Sequence, residues 1–151
     1  GRINSSRKKP LFIKLPPYNN NKGQDEILQL VNIGASSGIQ GFTIANTKPI
    51  TDSRLKMGNG GLSGKLIFND MLQIIKDVRK EVRADIAINA CGGISTAEDA
   101  ILALKQGANT IQIYSALIYE GPGVVKSIKL GLKNYLDKNN LDSITKLSST
   151  P

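Results

Sequence analysis

The sequence contains no histidine, no tryptophan and a single cysteine, Cys91. Without an imidazole there is no Ser-His-Asp or Cys-His catalysis and no histidine-ligated metal. One thiol excludes an internal disulfide framework and any multi-thiolate zinc or iron–sulfur site, so no metal centre is expected. Aromatics are 5% of the chain, too few for a platform that stacks single-stranded bases. No apolar run approaches the roughly 18–20 residues of a membrane-spanning helix. The opening residues do not read as a secretory signal.

What is present suits one packed core: 151 residues, of which 40% are hydrophobic. Lys and Arg number 20 against 12 Asp and Glu, a formal charge of +8. The excess is dispersed. Arg2, Arg7, Lys8 and Lys9 form a short basic lead within residues 1–10, read as a connecting segment. Between Asp70 and Asp85 the basic residues Lys76, Arg79, Lys80 and Arg83 alternate with Asp77 and Glu81, as on a solvated helix face. The charge reads as lysine-rich surface, with no nucleic-acid partner expected.

Strand and helix signals alternate along the chain. Leu11–Leu15 is a short apolar strand stopped by Pro16-Pro17, and Gln24–Ala35 carries a helical stripe of Ile27, Leu28, Leu30 and Val31. Gly41–Ala45 is a second strand, followed by a long Gly-rich connection through Gly58–Gly64. A helix over Asn69–Val82, a strand over Asp85–Ala90 and a helix opened by Ser95 and Glu98 as a capping box follow. That helix ends at Gly107; Asn109–Tyr114 is the fourth strand, and Gly123–Leu136 the last helix. Residues 137–151 read as a polar tail.

Four strands, each followed by a helix, give a parallel sheet with right-handed crossovers. Within the strands one face is aliphatic: Leu11, Ile13 and Leu15; Ile86 and Ile88; Ile111 and Ile113. The other is mostly small, polar or charged: Lys14, with Phe12 beside it as the exception; Ala87 and Asn89; Gln112 and Tyr114. A doubly wound sheet, covered on both faces, tends to read apolar throughout. A (β/α)8 barrel has one helix-facing side and one interior side that turns polar near a ligand. The pattern favours the barrel, and four units are half of one, since a whole barrel takes about 250 residues.

The same alternation isolates the candidate site. Lys14 lies on the interior side, where an ammonium calls for an anion or an electron-rich ligand; its alternative is a strand-edge lysine in water. Asn46-Thr47 follow the second strand, at the end where barrels build their sites. Asn46 would share the face of Phe42 and Ile44 if the strand ran on, so a site role requires the chain to turn there; a plain turn residue is the competing reading. Gly92-Gly93 and Tyr114-Ser115 close the third and fourth strands. Glycine admits close approach of backbone N–H groups to a ligand, and a helix start adds positive potential. Cys91 reads as a small buried hydrophobe.

The motifs FIKLPP, ANT, GNGGLSGK, ACGGISTAEDA and QIYSALIYEGPG, in this order over residues 11–136, resemble the C-terminal half of dihydroorotate dehydrogenase. QIYSALIYEGP is most similar to the quinone-reducing class 2 enzymes. The resemblance implies that the chain supplies about the last four β/α units of a (β/α)8 TIM barrel. It implies FMN as cofactor, dihydroorotate and orotate as substrate and product, and a quinone as acceptor, in de novo pyrimidine (UMP) synthesis. Lys14 would lie against the isoalloxazine ring and stabilise negative charge on the reduced flavin. Asn46 and Thr47 would bind the pyrimidine. Ala45, Gly64, Gly92 and Gly93 would meet FMN through backbone, with Ser63 in the same loop, and Tyr114 and Ser115 would add phosphate contacts.

The family's catalytic base, a Ser in class 2, belongs to a region outside this chain, as do its quinone tunnel and membrane helices. The resemblance therefore implies an N-terminal barrel half, in the same or a separate chain. It also implies association with the mitochondrial inner or bacterial cytoplasmic membrane, with this segment itself soluble. Two departures stand out: Lys48 where a second Thr is usual after Asn-Thr, and Pro16-Pro17-Tyr18 in place of Ala-Pro-Asp. The alternative function is a non-catalytic half-barrel that binds only a phosphate or flavin ligand.

Overall fold

The computed structural model describes residues 7–147. In chain order the elements are β1 (Phe12–Leu15), α1 (Asn21–Ser36), β2 (Gly41–Ile44), β3 (Lys48–Thr51) and β4 (Asn59–Leu62). A 3-10 turn, Gly64–Ile67, then leads into α2 (Phe68–Glu81). β5 (Ala87–Cys91), α3 (Ala97–Lys105), β6 (Thr110–Gln112), α4 (Ser115–Glu120) and α5 (Gly123–Lys138) complete the described units. Strands β1, β2, β5 and β6 form one parallel sheet in that order, and β3 pairs with β4 as a separate antiparallel hairpin.

The two faces of the sheet differ as the alternation requires. Phe42 and Ile44 of β2 and Ile88 and Ala90 of β5 are fully buried. They share one core with Val31 of α1, Ile75 and Val78 of α2, and Ala100 and Ala103 of α3. Burying each large aliphatic or aromatic side chain here contributes about 1.5–3 kcal/mol. On the other face, Lys14 stands in register with Thr43, Thr43 with Asn89, and Asn89 with Thr110. The Asn89 amide donates to Thr43 Oγ1 at 3.3 Å, and its carbonyl oxygen accepts from the Thr110 hydroxyl. One layer below, the Phe12 ring lies across Gly41, where a Cβ would stand 2.4 Å from the ring and 2.5 Å from the Ala87 carbonyl oxygen.

The strand order leaves β1 and β6 as edges. Phe12 is 39% exposed on the inner face and Ile13 38% exposed on the outer one. Ile13 was expected to share the covered face with Leu15, which is buried. It falls short because it lies on an edge strand with no neighbouring β/α unit among the described residues.

Other differences are local. The capping box of α3 is built by Thr96 and Asp99, one residue beyond Ser95 and Glu98, because the Thr96 side chain is the one that accepts from the Asp99 N–H. The Gly-rich connection contains the β3–β4 hairpin, whose four-residue strands KPIT and NGGL show no apolar alternation. The last helix runs on to Lys138, and a 3-10 turn at Ile144–Lys146 brings Leu147 into a buried position.

One buried carboxylate ties the first two units together. Asp77 of α2 accepts from Tyr18 Oη at 2.5 Å and from Gln24 Nε2 at 2.9 Å, linking the loop after β1 and helix α1. Gln73 Nε2 adds bonds at 2.9 and 3.0 Å. Burial, with Asp77 beside it, pushes the Tyr18 phenol well above its ordinary range, so it serves as a donor. Tyr18→Phe should cost about 1–2 kcal/mol in urea unfolding, because Asp77 loses its shortest donor while keeping two amides. An unchanged midpoint would mean that water replaces the phenol without loss.

Candidate functional site

The parallel connections deliver every β→α loop to the C-terminal end of the sheet, and there a cavity of about 380 Å³ opens. Lys14, Ala45, Thr47, Ser63, Gly64, Gly92, Gly93, Tyr114 and Ser115 all line it. Four loops and the end of β1 thus bring together every candidate residue except Asn46. Strand β2 stops at Ile44, and the peptide from Ile44 to Ala45 is cis. The Ala45 N–H donates to the Cys91 carbonyl at 2.7 Å and the Asn46 N–H to the Leu15 carbonyl at 3.0 Å. Asn46 is exposed and does not line the cavity, whereas Thr47 does. Thr47 is packed by the hairpin: a Cβ on Gly61 would lie 2.4 Å from its Oγ1.

Lys14 comes from the inner face of β1 and is exposed where the sheet stands open. Its ammonium has no hydrogen-bond or ion-pair partner among the described residues. Lys48, the first departure, points elsewhere: its Nζ donates to Asp70 Oδ2 at 2.7 Å at the start of α2, outside the cavity. Cys91, read as a buried hydrophobe, is half-buried in the cavity wall, because it occupies the inward face at the end of β5.

Two loops meet at the narrow side. Gly93 has φ +70°, and a Cβ there would stand 2.7 Å from the Gly64 carbonyl oxygen and 2.8 Å from Phe68 Cβ. Only glycine combines that backbone conformation with that approach. Across the rim the Ser115 hydroxyl donates to Ser63 Oγ at 3.3 Å. Beside it, Lys65 forms an ion pair with Asp99, whose side chain is 7% exposed. Burial pushes the Asp99 carboxyl up, but the Lys65 ammonium and the Ser95 and Thr96 N–H groups more than offset it. Asp99 therefore titrates below its ordinary range.

The sequence reading missed several lining residues. Lys65 adjoins Gly64 in a motif already singled out, and Gln112 shares the inward alternation of Tyr114, so both carried a signal. Tyr119 and Glu120 arrive on α4, a six-residue helix with no periodic stripe. Among the described residues no group of three or more His, Cys, Asp or Glu side chains is placed to hold a metal ion.

An open parallel wall of four β/α units with its cavity at the strand C-termini has the architecture of half a (β/α)8 barrel. Comparison with known proteins gives the family. The family description "Dihydroorotate dehydrogenase" matches residues 2–136, and the chain belongs to that family. The quinone-type dihydroorotate dehydrogenase of Allorhizobium ampelinum is 33% identical over 147 residues, covering 95% of this chain and 40% of that protein. The one from Trichodesmium erythraeum is 37% identical over 149 residues, covering 93% and 39%. The ligand-free Eimeria tenella enzyme superposes with a TM-score of 0.78 at 27% identity, over 91% of this chain and 38% of that one. Its complex with ferulenol gives 0.80 at 26% identity, over 96% and 40%. The chain therefore spans about two-fifths of the relatives it matches, and its fold is a partial TIM barrel.

The depressed titration of Asp99 has a signed consequence. A carboxyl whose folded pKa is lowered contributes stability above its unfolded value, about 3.9, and loses it as pH falls through the folded value. The stability gap between the unmodified protein and Asp99→Asn should be constant from about pH 5 to 8 and shrink below about pH 4. Urea unfolding across that range checks it. A gap that holds constant into strong acid would rule out a carboxylate contribution.

Proposed function

We propose that this chain is the C-terminal part of an FMN-dependent, quinone-reducing dihydroorotate dehydrogenase, oxidising dihydroorotate to orotate in de novo pyrimidine (UMP) synthesis. The observation that carries the reading is the convergence of Lys14, Ala45, Thr47, Ser63, Gly64, Gly92, Gly93, Tyr114 and Ser115 on one cavity. The cavity's chemistry fits a flat, phosphate-bearing cofactor. It has a close backbone approach at Gly93 that a side chain would block, a left-handed backbone at Gly64, hydroxyls at Ser63 and Ser115, and an unpaired cation at Lys14. FMN, when bound, supplies a two-electron redox centre that the protein's own side chains lack.

In this reading the residues divide the work by position. Lys14 holds a fixed positive charge beside the ring and stabilises negative charge as it develops there. Thr47 presents its hydroxyl to the substrate side, and Asn46 completes the pyrimidine contacts by turning inward from its exposed position. Ala45 and Gly92 border the ring through backbone. Gly64, Gly93, Tyr114 and Ser115 surround the phosphate, with Ser63 bonded to Ser115. The proton-abstracting base lies outside this chain.

In this reading residues 11–136 are the core of the barrel portion, continued by the last helix to Lys138, with 1–10 as a connecting segment and the polar residues beyond that helix as a tail. The open inner face and the free edges of β1 and β6 support an N-terminal barrel half as partner, in the same or a separate chain. Membrane association of the quinone type would come through parts outside this segment. Among the described residues no helix is long and apolar enough to cross a membrane.

Two measurements test the reading. Light scattering on the folded chain should give a self-dimer or a complex with its complementary half; a well-folded 16.2 kDa monomer would count against barrel closure. In the assembled protein the flavin absorbance band should bleach when dihydroorotate is added. Lys14→Ala should slow that bleaching by about 100-fold or more with little change in urea midpoint. An unchanged bleaching rate would remove Lys14 from the mechanism.

A further inference from the structure

Two loops that line the cavity meet at Gly64 and Gly93. One is Ser63–Gly64, at the start of the 3-10 turn; the other is Gly92–Ser95, before α3. Their backbones touch at Gly64 and Gly93, with no room for a methyl group between them. Lys65 is the side chain that crosses from the first loop to the second. Its ammonium pairs with Asp99 and lies 4.4 Å from the centre of the Phe68 ring. Asp99 in turn accepts from the Ser95 N–H at 3.0 Å, the Ser95 hydroxyl at 3.2 Å and the Thr96 N–H at 3.2 Å. One carboxylate therefore fixes the Lys65 side chain and the backbone leaving the Gly92-Gly93 loop at the same time.

We propose that Lys65 is a positioning residue, a latch that with Asp99 sets the gap between the Gly64 and Gly93 loops and thereby how long the cofactor stays bound. The inference rests on the flavin reading of the cavity. A direct role toward phosphate is disfavoured by the partner: the charge of Lys65 is already met by a 7% exposed carboxylate, with which a phosphate would have to compete. Lys65 itself is 60% exposed, so its replacement removes the cross-link without opening a hole in the core. Arginine can reach the same carboxylate with two donors, whereas methionine keeps the stem and the contact with Phe68 but loses the charge.

The test uses the assembled protein, with its complementary barrel half, and titrates it with FMN and separately with riboflavin, following quenching of flavin fluorescence. Lys65→Met should weaken FMN binding about tenfold and riboflavin binding by a similar factor, since the loop gap and not the phosphate charge is altered. Lys65→Arg should restore both to within about threefold. In flavin-free protein, amide hydrogen exchange over residues 63–68 and 92–96 should speed up in Lys65→Met alone. Loss of FMN affinity with riboflavin spared would make Lys65 a phosphate ligand and overturn the latch. Unchanged FMN affinity with unchanged exchange would overturn it as well. An unmodified protein that takes up neither flavin would overturn the flavin reading itself, and the latch with it.

Discussion

Parallel strands can be joined only by crossovers that carry the chain back to the end where it began. The rest of this structure depends on that constraint. It places the loops after β1, β2, β5 and β6 at one end of the sheet, although their residues are scattered from Lys14 to Ser115 in sequence. It also divides each strand into a side that meets the helices and a side that does not. The apolar residues Phe42, Ile44, Ile88 and Ala90 hold the helices in place, and the helices fix the height at which each loop leaves the sheet. The cavity is a product of that arrangement before any of its side chains contributes chemistry.

The sequence disclosed the parts that depend on periodicity. Alternation in β5, with Ile88 against Asn89, marked which residues face inward, and Lys14 stood out because an ammonium in an apolar strand breaks the pattern. The glycine pairs at the loops were legible for a similar reason, since few other residues tolerate such close backbone contact. The hairpin was not legible, because β3 and β4 are short, Gly- and Pro-containing, and stabilised by pairing with each other at long register. The shift from Ser95 to Thr96 at the start of α3 was also hidden. Both residues are hydroxylated, and only the geometry of Asp99 selects between them. Asn46 illustrates a further limit: the motif placed it beside Thr47, but one residue of displacement at a strand end separates a cavity wall from solvent.

The two departures from the family pattern each come with a local partner. Lys48 is met by Asp70, at 2.7 Å, on the first turn of α2, where a carboxylate also suits the helix dipole. Tyr18 is met by Asp77, which gathers donors from the loop after β1 and from helices α1 and α2. Neither lines the cavity. Tyr18 fastens the first unit to α2, Lys48 fastens the hairpin to the same helix, and neither side chain enters the cavity.

The row formed by Thr43, Asn89 and Thr110 bears on how such a wall behaves before it is closed. A bare sheet face of valine and isoleucine would be driven to cover itself with whatever apolar surface it first met. A face of hydroxyls and an amide, already bonded to one another, is at ease in water and gives indiscriminate partners little to gain. Once enclosed, the same groups penalise any neighbour that leaves them without a hydrogen bond. Any surface that packed on this row would therefore have to match it in hydrogen bonds.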